Sequence, residues 1–296
     1  MDCSRPASGR SDRLVLEAAG ARLAITRAGR GSISLVCLHA IGHGARDFMR
    51  IADEFGPGAE VIAIDFPGHG ASPPELAAPG ERRYAELLGA TLDALELASV
   101  FILGNSVGGA AAIRYAAAHP KRVRGLILCD PAGLQPVNLV TRFICRRMSA
   151  FFARGARGDP RFPAQFRRYY EREVLPSRQA SWRREEIIAS ALDVAPILQQ
   201  AWRGFAEGDA DLRQLGPQIK CPVLFAWSKR DRYVAWSRSK RAALAFPYAQ
   251  VRFFEGGHSA FLEEPAAFAL ALKQFLATPE PGIDAARRAA EKTGAA

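Results

Sequence analysis

The sequence predicts an α/β architecture: a mostly parallel β-sheet with helices on both faces and an inserted helical cap. Three features carry this. Short apolar runs read as strands buried on both faces, amphipathic stretches lie between most of them, and the alternation breaks once over a long interval. Strands alternating with helices favour parallel pairing, because each parallel connection must cross back over the sheet and a helix does so while covering it. The 296 residues allow one large domain or a core with an inserted subdomain, at about 150 residues per domain. With 49% hydrophobic and 24% charged residues, disordered, collagenous and coiled-coil classes are excluded.

In chain order, residues 14–17 and 21–26 flank Gly20 and read as an antiparallel hairpin. Residues 34–38, 61–64, 100–103, 125–129, 223–227 and 251–254 then read as buried strands. Amphipathic patterns predict helices over 81–97, 107–118 and 265–276. The interval between Gly133 and Pro222 is too long for a loop. Residues 134–213 are therefore expected to form the cap over a core of 14–133 and 214–278, with 1–13 and 279–296 as tails.

The formal net charge is +10. Between Arg142 and Arg184 stand twelve Arg, no Lys and only three acids (Asp159, Glu171 and Glu173), so most of the excess falls in the expected cap. Such a segment suits an anion, which guanidinium groups bind bidentately, but it equally describes a solvated helix face whose interleaved Phe143, Phe151, Phe152, Phe162 and Phe166 form an apolar roof. No helix-turn-helix, zinc or RNA-binding signature accompanies it, so no nucleic-acid partner is expected. The five cysteines (Cys3, Cys37, Cys129, Cys145 and Cys221) are odd in number and lack C-x-x-C spacing. Several sit in apolar runs as small hydrophobes, which points to a reducing compartment. The first thirteen residues lack the apolar stretch of a secretory signal, and no run is long enough for a membrane span. A cytoplasmic protein is expected.

The strongest chemical motif is Gly104-Asn105-Ser106-Val107-Gly108, set between a predicted strand and a predicted helix. Small residues two places either side of Ser106 allow the sharp turn that exposes its hydroxyl as a nucleophile, and the helix N-terminus behind it favours developing negative charge. A serine hydroxyl needs a base. His258, in Glu255-Gly-Gly-His-Ser, follows the last predicted strand on a glycine-freed loop and is the expected base; His39, His43, His69 and His119 read as structural. The imidazole in turn needs a carboxylate to fix its tautomer. Asp231, in Ser228-Lys-Arg-Asp, completes the chain order Ser, Asp, His and is preferred to Asp130, which ends another strand. Two backbone N–H groups should hold an oxyanion: that of Val107, and that of Ile41 in His39-Ala-Ile-Gly-His-Gly, with Gly42 the alternative.

These motifs, together with Asp65-Phe-Pro-Gly-His-Gly-Ala-Ser after the second parallel strand, resemble the α/β-hydrolases of the cap-bearing serine esterase type from about Leu14 to Leu276. Ala40 departs from the family's usual Gly in the oxyanion loop. The resemblance implies a cofactor-independent hydrolase of a carboxylic ester, thioester or lactone, acting through an acyl-enzyme on a small substrate, and the Arg-rich segment leaves room for that substrate to be anionic. No metal cluster or dinucleotide loop is found, so neither metal nor cofactor is expected. The elbow is also similar to that of hydrolases cleaving carbon–carbon bonds in ring-opened aromatic metabolites. Those enzymes use an Arg near the cap and usually carry Trp after the catalytic His, where this chain has Ser259. A non-catalytic ligand-binding protein on the same fold is the remaining alternative.

Overall fold

The computed structural model describes residues 11–55 and 58–277. The expected tails therefore lie, apart from residues 11–13, outside the described residues. The elements run β1 (Asp12–Ala18), β2 (Ala21–Ala28), β3 (Ile33–Leu38), α1 (Met49–Phe55), β4 (Ala59–Asp65), α2 (Glu81–Ala94), β5 (Val100–Asn105), α3 (Val107–Ala118) and β6 (Val123–Cys129). Four helices follow: α4 (Leu139–Ala156), α5 (Phe162–Tyr169), α6 (Ser181–Ala189) and α7 (Ala191–Gly204). The chain then forms β7 (Val223–Ser228), α8 (Trp236–Ala243), β8 (Ala249–Phe254), α9 (Ala260–Glu263) and α10 (Pro265–Leu276).

One eight-stranded sheet has the order β1-β2-β4-β3-β5-β6-β7-β8. The β1/β2 and β2/β4 pairs are antiparallel and all others parallel. Burial follows this layout. Strands β5 and β7 are buried along their whole length, as helix-covered parallel strands must be, whereas the edge strands β1 and β8 leave many residues exposed. The Ala19–Gly20 turn of the first hairpin has both residues at positive φ, 48° and 77°, which matches a tight two-residue hairpin turn.

The strand order reverses at β3: the chain leaves it to form β4 on one side and later β5 on the other. In open α/β sheets ligands gather outside the carboxyl ends of strands at such a reversal. Here it places the turn after β3 beside the turn after β5, and so the His39 segment beside Ser106.

Glycines make this contact close. A Cβ on Gly108 would stand 2.3 Å from the Leu38 carbonyl oxygen, and one on Gly104 would stand 2.6 Å from the Gly108 carbonyl oxygen. Only a residue without a side chain lets α3 start directly against the ends of β3 and β5.

Helices α4–α7 interrupt the alternation between β6 and β7 and build their own apolar interior, with Phe152, Phe162 and Phe166 fully buried. Phe151 and Tyr169 pack their rings against this cluster. Among the described residues no helix is long and apolar enough to cross a membrane.

Gly108→Ala is expected to destabilise the protein by about 1–3 kcal/mol or more, the range for overpacking a filled interior, read as a lower urea midpoint. An unchanged midpoint would contradict the close β3–α3 contact.

Candidate active site

Ser106 stands between β5 and α3 with φ 55° and ψ −118°, in a region that non-glycine residues rarely occupy. The turn is held on every side. The Ser106 N–H donates to the Cys129 carbonyl at 3.0 Å, and the Ser106 carbonyl accepts from the Ala110 and Ala132 N–H groups, each at 3.0 Å. Strain of this kind persists only where the surroundings enforce it, and it clusters at functional sites.

His258, from the loop after β8, lines the same cavity as Ser106. Its Nδ1 lies 2.6 Å from Asp231 Oδ2, and Asp231 Oδ1 accepts the Tyr233 and Val234 N–H groups at 2.7 and 2.9 Å. Both residues are buried. Burial alone would lower the imidazole pKa, but the Asp231 charge and hydrogen bond override it, aided by Asp130 and Glu263, and push His258 up to about 9. Asp130, the competing acid, is turned elsewhere: its oxygens accept the Ser228 N–H and hydroxyl, both at 2.7 Å. Burial followed by the Asp231 charge holds its pKa well above the usual carboxylate range. Asp130, Asp231 and His258 bring ligand-type atoms within 4.8 Å of one another, yet these atoms are already committed to internal hydrogen bonds, a poor fit to a cation cage.

The loop after β3 is held by the turn after β4. Burial pushes His39 down to about 4 and His69 to about 3, so both rings are neutral. Each donates from Nδ1, to the Ala40 and Pro67 carbonyls, and each accepts a backbone N–H at Nε2: Phe66 to His39 at 3.0 Å and Gly42 to His69 at 2.9 Å. The Asp65 carboxylate accepts the Ala45 N–H at 2.6 Å and the Ala71 N–H at 3.1 Å, with Gly70 packed directly on it. The Gly42 N–H is thus occupied. The Ile41 and Val107 N–H groups have no hydrogen bond among the described residues, and both residues line the cavity beside Ser106.

Two residues escape the sequence reading. Asn105 donates from Nδ2 to the Cys129 and His258 carbonyls at 3.0 and 2.9 Å, and its Oδ1 accepts the Ser259 hydroxyl at 2.8 Å, lashing the Ser106 turn to the His258 loop. Glu263 is fully buried. Its carboxylate accepts the N–H groups of Gly257 at 2.6 Å, His258 at 3.1 Å and Ser177 at 3.1 Å, joining that loop to the chain between α5 and α6. Burial raises its pKa, opposed by these N–H groups. A buried acid five residues after a loop histidine, in Phe261-Leu-Glu-Glu-Pro, is the available signal, but a helix-start acid ordinarily reads as a solvated cap.

None of the twelve Arg between 142 and 184 lines the cavity. Arg154 pairs with Asp159, Arg167 with Glu171 and Glu185, and Arg183 reaches the core to meet Asp47. The expected phenylalanine roof also differs. Phe152, Phe162 and Phe166 fill the interior of the insertion, Phe143 is exposed, and the aromatic lining comes from Tyr169, Tyr170, Trp202 and Phe205. His43, expected to be structural, also lines the cavity. The cavity encloses about 1060 Å³, open solvent at its mouth included. Among the described residues Arg238 is the one guanidinium in its wall, donating to the Arg232 and Tyr233 carbonyls, and the lining Glu81 is paired with Arg114.

A parallel sheet reversed at β3 with a strained serine at its carboxyl edge defines a hydrolase architecture. Residues 35–272 match the alpha/beta hydrolase family, and the chain belongs to that family. It is 29% identical to the 2-hydroxy-6-oxononadienedioate/2-hydroxy-6-oxononatrienedioate hydrolase of Paraburkholderia phymatum, over 84% of this chain and 88% of that protein. It is 28% identical to an uncharacterized Mycobacterium tuberculosis protein, over 88% of this chain and 80% of that protein. A thermophilic esterase from Thermogutta terrifontis superposes with a TM-score of 0.75 at 23% identity, over 90% of this chain and 98% of that one, a likeness of fold.

Replacing Asp231 by Asn is expected to lower kcat by about 10⁴, by loss of the right tautomer, whereas Asp130→Asn costs less than about tenfold. Equal losses would make Asp130 an equal partner. Because a base acts in its neutral form, kcat/KM is expected to rise with pH on a limb lying above the ordinary imidazole value of 6.5 and towards 9. Glu263→Ala strands the Gly257, His258 and Ser177 N–H groups. It should cost at least about 2 kcal/mol in a denaturant titration, since each unsatisfied buried donor costs about 1–3 kcal/mol.

Proposed function

We propose that the protein is a serine hydrolase that cleaves carboxylic esters of small, uncharged acyl substrates, with the α4–α7 insertion acting as a cap over the site. The observation that carries this reading is Ser106, strained at the elbow, sharing one cavity with an imidazole whose far nitrogen is bonded to a buried carboxylate. Nucleophilic catalysis by a hydroxyl needs that constellation of nucleophile, base and orienting acid.

In this mechanism the Ser106 oxygen attacks the acyl carbonyl while His258 Nε2 takes its proton. The negative charge that develops on the carbonyl oxygen is held by the Val107 and Ile41 N–H groups, and by the N-terminus of α3 behind them. Collapse breaks the ester bond, and the imidazolium gives its proton to the departing alkoxide. Water, deprotonated by the same imidazole, then attacks the acyl-enzyme and frees the acid and Ser106. Asp231 keeps the His258 proton on Nδ1 and stabilises the imidazolium in both halves of the cycle.

The uncharged substrate is argued from the wall of the cavity. None of the insertion's arginines lines it, Arg238 already donates to two backbone carbonyls, and the wall also carries the Glu81 carboxylate, whose charge Arg114 balances. A second reading, carbon–carbon hydrolysis of a ring-opened dienoate, has the support of the Paraburkholderia relative and its name. Against it stands the position after His258, where Ser259 is buried and bonded to Asn105, leaving no room for a tryptophan facing the substrate.

A panel of p-nitrophenyl esters of graded chain length, assayed beside a ring-opened dienoate, tests both readings. Ester turnover that falls by at least about 10³-fold in Ser106→Ala is expected. Dienoate cleavage without ester turnover would replace the first reading by the second, and silence on both would favour a ligand-binding protein.

A further inference from the structure

The same cavity is lined by polar side chains that the mechanism does not use. His43 follows Gly42 in the loop after β3, and its side chain is 1% exposed. Its Nδ1 lies 2.6 Å from Asp47 Oδ2, and the other Asp47 oxygen accepts from Arg183 Nε at 2.5 Å. Arg183 is the buried arginine of the insertion, and its guanidinium also donates to Glu186 at 3.2 Å. A second imidazole is thus fixed by a carboxylate, and that carboxylate by a cation from the facing subdomain. Its Nε2 has no partner among the described residues and is not sealed off, so the cavity is where it is accessible.

Tyr170 stands next to it, and Tyr169 next to Tyr170. The His43 and Tyr170 ring centres are 5.9 Å apart, and those of Tyr169 and Tyr170 are 5.4 Å apart. Both tyrosines line the cavity, and neither hydroxyl has a partner or is sealed among the described residues. These two consecutive side chains line the cavity where the helix widens after α5. The Leu175 N–H donates to the Tyr170 carbonyl, an i to i+5 bond, over the wide turn Tyr170–Val174. Such turns recur at functional sites.

We propose that His43, Tyr169 and Tyr170 form a subsite for a hydroxyl group of the substrate, so that the preferred esters carry a hydroxyl on the acyl or the alcohol side. This rests on the hydrolase reading above and names its substrate class. A hydroxyl both donates and accepts, so it pairs with an imidazole nitrogen and with phenols in any of their roles. A carboxylate here would meet the buried Asp47, whose neighbouring cation Arg183 is already shared between Asp47 and Glu186. An alkyl group would leave three buried polar atoms unsatisfied, and that selects the hydroxyl.

The test compares matched pairs: p-nitrophenyl β-hydroxybutanoate against p-nitrophenyl butanoate for the acyl side, and hydroxyethyl butanoate against propyl butanoate for the alcohol side. In at least one pair the hydroxylated ester should be preferred about tenfold in kcat/KM, the value of one net hydrogen bond. Tyr170→Phe, which keeps the ring and removes only the oxygen, and His43→Phe should each bring that ratio towards one. A ratio near one in the wild type, or a preference that survives both substitutions, would overturn the subsite. Tyr170→Phe keeps the test decisive if His43→Phe does not fold. Calorimetric binding of the same pairs to Ser106→Ala separates the two readings. Selective binding of the hydroxylated ester without wild-type turnover would retain the subsite and remove the hydrolase, while turnover without selectivity would do the reverse.

Discussion

Everything at the carboxyl edge of the sheet depends on one residue held where it would not rest. A free serine has no reason to adopt φ 55°; it does so because β5 must end and α3 must begin within one residue, beside the end of β3. That demand is met by removing side chains at Gly104 and Gly108, whose neighbours stand too close for a Cβ. Once they are absent, the carbonyl of Ser106 caps the first turn of α3 and also accepts the Ala132 N–H. The strain is local, its support spans three strands, and the outcome is a hydroxyl lining a cavity rather than packed in a core.

The histidines show how burial assigns roles to one residue type. For His39 and His69 burial outweighs the weaker pull of Asp47 and Asp65, so they stay neutral and serve as lone-pair acceptors for backbone N–H groups. By taking the Gly42 N–H, His69 removes that amide from the set open to an oxyanion, while the Ile41 N–H has no partner among the described residues. His258 is as deeply buried but faces Asp231, and the carboxylate reverses the direction of its shift. The difference is made by a hydrogen-bonded carboxylate, with Asp130 and Glu263 adding to it, and not by exposure. Asp130 illustrates the converse: it sits near the same imidazole, but its oxygens are held by Ser228 and it stands apart from the His258 hydrogen bond.

The sheet was legible because its central strands are buried on both faces and therefore apolar without interruption; residues 107–118 and 265–276 coincide with α3 and α10. Helix α2 stops at Ala94 where periodicity runs on to 97, because Glu96 takes φ 55° and ends it. Ser106, His258 and Asp231 were legible since each follows a strand in a turn with a recognisable composition. Asn105 and Glu263 were not, because their bonds join segments about 150 and 86 residues apart, and a polar residue carries no mark of a distant partner. His43 reads as one more residue in a glycine-rich loop until Asp47 and Arg183 are seen around it.

The basic insertion is where charge counting misleads most. Its surplus suggests a cationic mouth for an anionic ligand, yet a guanidinium beside an apolar cavity would need a partner or water, and the helices turn nearly all of theirs outward. The exception is informative: Arg183 is buried because Asp47 receives it, and the pair bridges the insertion and the core. Tyr233 makes a second bridge through its hydroxyl to Glu173 at 2.7 Å, and Glu263 a third through the Ser177 N–H. Each bridge ends on a loop that also carries a cavity residue, namely His43, Tyr233 and His258. The insertion therefore does more than line the cavity. Its seating and the positions of these side chains are set by the same hydrogen bonds, so a change that loosens the insertion also loosens the geometry beneath it.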